Sequence, residues 1–516
     1  MDNNNSVEVS SKSRRLGLNF TTIRLPKNAL FPHLVEIALQ QCISSQVRLK
    51  KLSQVSLTAR QMHCHTLIEG LYQVWACKST RACLNVYLSP QYYHSTKIGK
   101  INHLSQYFVE ESVNALASLG WIEVLKGARI NEFENRPTQL KATGELLEAF
   151  KKMGLRWTPL DAPMEGVILR GYDRTTKESF PVKVPKTIAV RKMNANLRKI
   201  NEHLGQQAIC LHVSNDNLSK LIVRMSEPKY RSQWHQTRPE KHGRLLNFNH
   251  RLLRRVFSRE SLETGGRFYG GWWQFIPSEF REYITINGQA TTEIDFSELH
   301  PRLLYLEAGS APPTGDLYDI GLHFEGKPYD ANVEPYKTQR GIVKEVFNAL
   351  LNDESGRYRM QSSQIKTVGI KQKELKRRLM KRHPPLRGVL GKGVGLKFQY
   401  IDSQVAEKVM LGLLAKGITC LPMHDSFIVQ RQYGKELHEG MTKAFGQAFL
   451  GQVAKIKPPT GYKSDFRMSF LANGELDHDA LFKMHEQALH NKYLQSWRNH
   501  FSQHERMRPK VTHPSP

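Results

Sequence analysis

The sequence is poor in acid, poor in cysteine and free of any long apolar run. Its 47 Asp+Glu stand against 75 Lys+Arg, a formal net charge of +28. Such an excess attracts a polyanion, nucleic acid first and an acidic membrane surface second. Six cysteines in 516 residues (Cys42, Cys64, Cys77, Cys83, Cys210 and Cys420) are too few and too irregularly spaced for a disulfide framework. The run His63-Cys64-His65, with Cys77 and Cys83 beyond it, matches no common zinc spacing, so reduced, buried thiols are expected. No apolar stretch approaches membrane-spanning length, and the opening "MDNNNSVEVSSKSRRLG" lacks the apolar core of a secretion signal. The expectation is a soluble, cytoplasmic monomer with no membrane partner.

At this length two to four domains are expected. Residues 1–56 read as a polar tail and one helix. Residues 57–155 alternate helices with short strands: "SQYFVEESVNALASLG" stops at Gly120 and runs into the strand Trp121 to Leu125. That order resembles a winged helix-turn-helix DNA-binding domain, with a helical adaptor as the alternative. Residues 156–263 read as a linker or thumb-like region, 264–476 as the most informative part, and 477–516 as a helix with a basic, mobile tail.

Three elements in the informative part carry chemistry. In "TTEIDFSELHP" an alternating segment ends at Asp295 just before a leucine-rich helix, where an aspartate can cap the helix or hold a metal. In "EPYKTQRGIVKEVFNALLND", Arg340, Lys344, Phe347, Asn348 and Leu351 fall on one helical face. Ile342, Val343, Val346, Ala349 and Leu350 fall on the opposite one. Two cations one turn apart can grip a triphosphate, or simply face solvent. In "GITCLPMHDSFIVQ" two apolar strands meet at His424-Asp425, a hairpin whose acid either satisfies the backbone of its own turn or, if buried, takes a metal or a cation. Two aspartates on separate strands can hold two Mg²⁺ ions about 3.5–4 Å apart, one for an attacking 3′-hydroxyl and one for a leaving pyrophosphate. Between the last two elements, Lys371 to Lys397 carries ten basic residues and one acid, Glu374, a balance suited to a nucleic-acid backbone. Arg377, Arg378, Lys381 and Arg382 are its densest part.

These blocks resemble the polymerase module of family A DNA polymerases and phage-type single-subunit RNA polymerases, over about Thr264 to Val429. "TGGRFYGGWWQFIP" is similar to the block before motif A, "EIDFSELHPRLLY" to motif A, "RGIVKEVFNALLN" to motif B and "MHDSF" to motif C. The resemblance implies an α+β fold: a palm with an antiparallel sheet and helical fingers, preceded here by the winged helix. It makes Asp295 and Asp425 catalytic, with Phe296 joining them as metal positions for two Mg²⁺ ions (or Mn²⁺). It assigns Lys344 to catalysis and phosphate binding, and Arg340, Asn348 and His300 to the nucleotide. Arg267, His424 and Gln404, from an Asp402–Gln404 segment ahead of the next helix, fall on the nucleic acid.

The departures are specific. His300 stands where family A DNA polymerases carry a glutamate that excludes ribose, and Asn352-Asp353 replaces the Tyr-Gly that ends motif B. An imidazole can obstruct a 2′-hydroxyl or hydrogen-bond it, and the reading leans to deoxynucleotides. No spaced acidic set of a proofreading exonuclease is present upstream. The leading expectation is therefore a DNA-dependent DNA polymerase acting on template, primer and nucleoside triphosphates with replication proteins of a plasmid or other mobile element. The alternatives are an RNA polymerase or primase, and a non-catalytic replication initiator.

Overall fold

The computed structural model describes residues 16–19, 29–45, 53–77, 82–88, 105–131, 134–176, 178–226, 245–322, 329–449, 455–461 and 489–506. Helices pack on largely antiparallel sheets, the α+β class that was expected. Two large hydrophobic cores divide most of the described chain, the buried residues of one ending at Phe150 and those of the other beginning at Trp157, beside a small third cluster of Val167, Leu169 and Phe257.

In the first core the helix Gln54–Ala76 buries Cys64, Leu67, Leu71 and Tyr72 against the helices Pro32–Ser44 and Gln106–Ser118. The Pro32–Ser44 helix, read from sequence as part of a separate 1–56 segment, thus shares this core through Leu34, Val35, Ala38 and Cys42. Gly120, at φ +68, lets the chain leave the Gln106–Ser118 helix and enter the strand Ile122–Leu125. That strand pairs antiparallel with Thr138–Ala142, while Ala128–Asn131 and Glu134–Arg136 form a separate ribbon. All six cysteines are free and buried.

The second core joins regions that the sequence reading separated. A five-stranded sheet runs in the order Leu421–Pro422, Ser426–Gln430, Gln289–Asp295, Ile284–Ile286, Ile209–Leu211. A four-stranded sheet runs Gly265–Tyr269, Arg254–Phe257, Val167–Asp173, Glu178–Val182. The supposed linker 156–263 therefore supplies strands to both. Arg251 is fully buried and binds the carbonyls of Thr158 and Gly205 (3.1 Å for the latter) and the Tyr493 hydroxyl (2.7 Å). Through that hydroxyl it anchors the helix Leu489–Arg506, which falls within the helix expected near the end of the chain; the basic end expected to be mobile lies outside the described residues. The "SDFRMSFL" segment, expected to complete the palm sheet, lies outside the described residues. What runs along that edge instead is 455–460: Ser297 N donates to Lys455 O (2.7 Å), Lys457 N to Asp295 O (2.9 Å) and Thr460 N to Glu293 O (3.0 Å). Among the described residues, no helix is long and apolar enough to cross a membrane.

Candidate active site

Alternation along Gln289–Asp295 sends Ile294 into the core while Glu293 and Asp295 stay half-exposed. Its register with Ser426–Gln430 sets Asp295 opposite Ser426, so Asp425, one residue earlier, stands at the same end of the sheet. The junction is tied by Phe296 N donating to Asp425 O at 3.1 Å. The hairpin tip closes through Met423 N and Ser426 O (2.7 Å), with His424 in the left-handed region at φ +73. The two expected carboxylates are thus brought together from positions far apart in sequence. Phe296 packs its ring against Phe427 and Phe445, which leaves only its main chain to offer a metal.

Burial, and then the charge of Asp425, push the Asp295 carboxyl up to about 6, against the opposing pull of Lys457 and Lys344. Its Oδ1 is buried without a hydrogen-bond partner. Among the described residues no three His, Cys, Asp or Glu side chains converge on a point. The donor set is two carboxylates, which suits Mg²⁺, an ion that keeps several waters and binds substrate phosphates alongside one or two carboxylates. Two facing carboxylates, one of them with an orphaned oxygen, fit a divalent cation.

Lys457, which no sequence pattern singled out, places its ammonium on Asp295 Oδ2. Its neighbour Lys455 binds Glu298 Oε2 at 3.0 Å. Glu298 is buried at the strand-to-helix turn, where it also accepts from Leu317 N (2.7 Å). Glu293 is held by Ser426 Oγ (2.5 Å) and Arg281 (3.0 Å).

Arg267, expected to reach a phosphate, is already committed. Its Nε donates to Asp402 at 3.0 and 3.2 Å, and its terminal nitrogen also reaches Asp402, with His300 Nε2 at 3.2 Å. The cause is local. Gly266, at φ +76, has so little room that a Cβ would meet the Phe257 ring at 2.7 Å and Ser403 Oγ at 3.0 Å. Only glycine lets this strand approach the helix Gly395–Leu414 that carries Asp402. Arg267 in turn holds the buried Asp402 carboxyl below its usual value, with His300 assisting. Asp402–Gln404 lies inside that helix and not ahead of one, because the apolar period continues through Phe398, Val405 and Val409. Gln404 Nε2 is buried and unpartnered. His424 stacks edge-on to Tyr269 at 5.2 Å, and burial with Arg267 nearby lowers its pKa to about 4.

The cation face is narrower than its spacing implied. On the helix Tyr336–Asn352, Phe347 and Leu351 are fully buried, because Tyr318 and His383 cover Phe347 from the side. Arg340 Nε binds Asp316 at 2.5 Å and its guanidinium lies over Tyr318. Lys344 is exposed and, among the described residues, has no side-chain partner, while Asn348 Oδ1 is buried and unpartnered. On the basic helix Gln372–Arg382, Arg377 and Arg378 both bind Glu374. Arg378 also donates to Gly321 O (2.6 Å), and Arg382 to Thr314 O (2.5 Å) and Asp316 O (3.2 Å). Two of the four expected nucleic-acid contacts therefore staple the 314–321 loop, leaving Arg377 and Lys381 the more exposed pair.

No protein-family model matches the chain, and no curated protein matches it. Among solved structures the chain is similar to "POL domain of Pol1 from M. smegmatis complex with DNA primer-template and dNTP". The two are 11% identical over 82% of this chain and 68% of that one, with a TM-score of 0.29, too loose a superposition to argue from.

Proposed function

We propose that this chain is a template-directed nucleotidyltransferase, a DNA-dependent DNA polymerase without proofreading, with Asp295 and Asp425 at its catalytic centre. The observation that carries the reading is the pair itself: two carboxylates joined across a strand and a hairpin tip, with Asp295 raised to about 6 and one oxygen unpartnered. Two Mg²⁺ ions (or Mn²⁺) held there by Asp295, Asp425 and the Phe296 main chain would activate a 3′-hydroxyl and neutralise a leaving pyrophosphate.

The remaining roles belong to the chain's own groups. Lys344, exposed and close enough to act on the Asp295 charge, neutralises the nucleotide phosphates. Arg340 joins it after exchanging Asp316 for a phosphate oxygen, and the unpartnered Asn348 Oδ1 accepts from a hydroxyl or amino group of the nucleotide. His300, held through Nε2 by Arg267, stands where it can meet the sugar. His424, kept neutral by burial, borders the primer end. Arg267 positions His300 and Asp402; with Arg377, Lys381 and the domain of residues 57–155, acting as a winged helix, the basic surface binds primer and template.

Primer extension on a templated duplex with Mg²⁺ tests this. Asp295→Asn and Asp425→Asn are each expected to lower deoxynucleotide incorporation roughly 10³-fold while duplex binding is retained. Full activity in either variant refutes the site. Parallel reactions with ribonucleotides, primed and unprimed, read out whether the His300 pocket takes ribose instead.

A further inference from the structure

The segment that reaches Asp295 from its open side has the build of a fixed arm. Lys455, Ile456 and Lys457 are extended, so alternate residues face alternate ways. Ile456 bridges Phe296 and packs on the second core, which turns both lysines toward the acidic side. Pro458 and Pro459 follow, restricting φ and lacking donors. Thr460 then re-anchors the chain: Glu293 N donates to its Oγ1 (2.9 Å), and Thr292 Oγ1 donates to its carbonyl (2.9 Å). The main chain is thus tied to the strand on both sides of the lysine, and what remains free to move is the Lys457 side chain. Its side chain is 44% exposed and that of Asp295 26%.

We propose that Lys457 is a built-in counter-ion of the carboxylate pair, which competes with a divalent cation for the charge of Asp295. The inference rests on the metal-site reading of Asp295 and Asp425. Three charges besides its own face Asp295: Asp425 from the hairpin, Lys344 from the Tyr336–Asn352 helix and Lys457 from the arm. Of the two cations, Lys457 is the one in direct contact. One carboxylate oxygen is therefore spoken for by the chain, while the other, Oδ1, waits unpartnered. The ammonium can swing into solvent without unseating the arm, so the competition is reversible and sets metal affinity without changing the fold.

Mn²⁺ binding to the full chain, followed by the loss of the free-ion EPR signal without nucleic acid or nucleotide, tests this. Lys457→Met keeps the stem and removes the charge, and is expected to bind Mn²⁺ about fivefold more tightly than wild type, the factor for losing a partly exposed ion pair. Lys457→Arg keeps the competing charge and is expected to stay near wild type, which separates charge from any effect of altering the arm. Unchanged or weaker binding in Lys457→Met, with Asp295→Asn abolishing binding, overturns this inference and leaves the metal site standing. Wild-type Mn²⁺ binding in Asp295→Asn overturns both.

Discussion

Two cations stand one turn apart on the Tyr336–Asn352 helix, and their surroundings give them different fates on mutation. Lys344 has no side-chain partner to lose, so Lys344→Ala is expected to raise the nucleotide KM more than tenfold (roughly, for a lost charge–phosphate contact) with the melting temperature unchanged. Arg340→Ala strands Asp316 half-buried with only Tyr329 and the Tyr318 amide, and is expected to cost about 1–3 kcal/mol in urea unfolding as well. Asp295 carries its own signature. An acid whose folded pKa is raised stabilises the fold fully below its ordinary value, near 3.8, and loses that contribution as pH rises through about 6. Asp295→Asn is therefore expected to be more stable than metal-free wild type at pH 8, by on the order of 2 kcal/mol, and equal to it at pH 3.5 in chelator-buffered urea titrations. The positions of Asp295 at a strand end, Asp425 at a hairpin tip and Lys344 on an exposed helix face were legible because local period and a hairpin place them. Lys457 and Asp316 were not, since their roles come from partners 162 and 24 residues away that no periodicity announces.

The 314–321 loop shows how elements share a load. Glu298 takes Leu317 N, His383 takes Leu317 O at 2.7 Å, and Arg378 and Arg382 hold its two ends. His383 donates from Nε2 to that carbonyl and accepts from the Tyr305 hydroxyl at Nδ1 (3.1 Å), and burial keeps its pKa below the usual 6.5. The unfolded chain takes up a proton below pH 6.5 that the folded ring refuses. Its contribution is thus complete above pH 6.5 and lost as pH falls through the folded value. His383→Gln is expected to flatten the decline in stability between pH 7 and pH 5, measured by chemical denaturation. From sequence, the run around this helix read as a basic surface with a single acid, Glu374. Side-chain donors to loop carbonyls leave no mark in charge counts, so the structural half of those arginines stayed hidden.

At the scale of the whole molecule two cores meet at a short joint. Tyr72 bridges it, donating to Gly154 O and accepting from Arg156 N, both at 2.8 Å, and Asn247 reaches back to Gln73 at 3.1 Å. Calorimetry is expected to resolve two transitions, with Tyr72→Phe shifting the one that belongs to the first core. The basic excess was readable from composition, and the α+β class came with the resemblance of the motif blocks. The extent of the second core was not, because Ile209–Leu211 completes a sheet whose other strands begin at Ile284, and Val167–Asp173, besides its neighbour Glu178–Val182, pairs with Arg254–Phe257 far along the chain. The same feature, a site strand flanked by 421–430 on one side and 455–460 on the other, bears on biosynthesis. A ribosome that has released only the first 420 residues has released Asp295, His300 and the whole cation helix, yet no second carboxylate and no arm. The centre comes together only once Thr460 has cleared the exit tunnel, after every other element of the site, while the helix Leu489–Arg506 has still to dock on the same core.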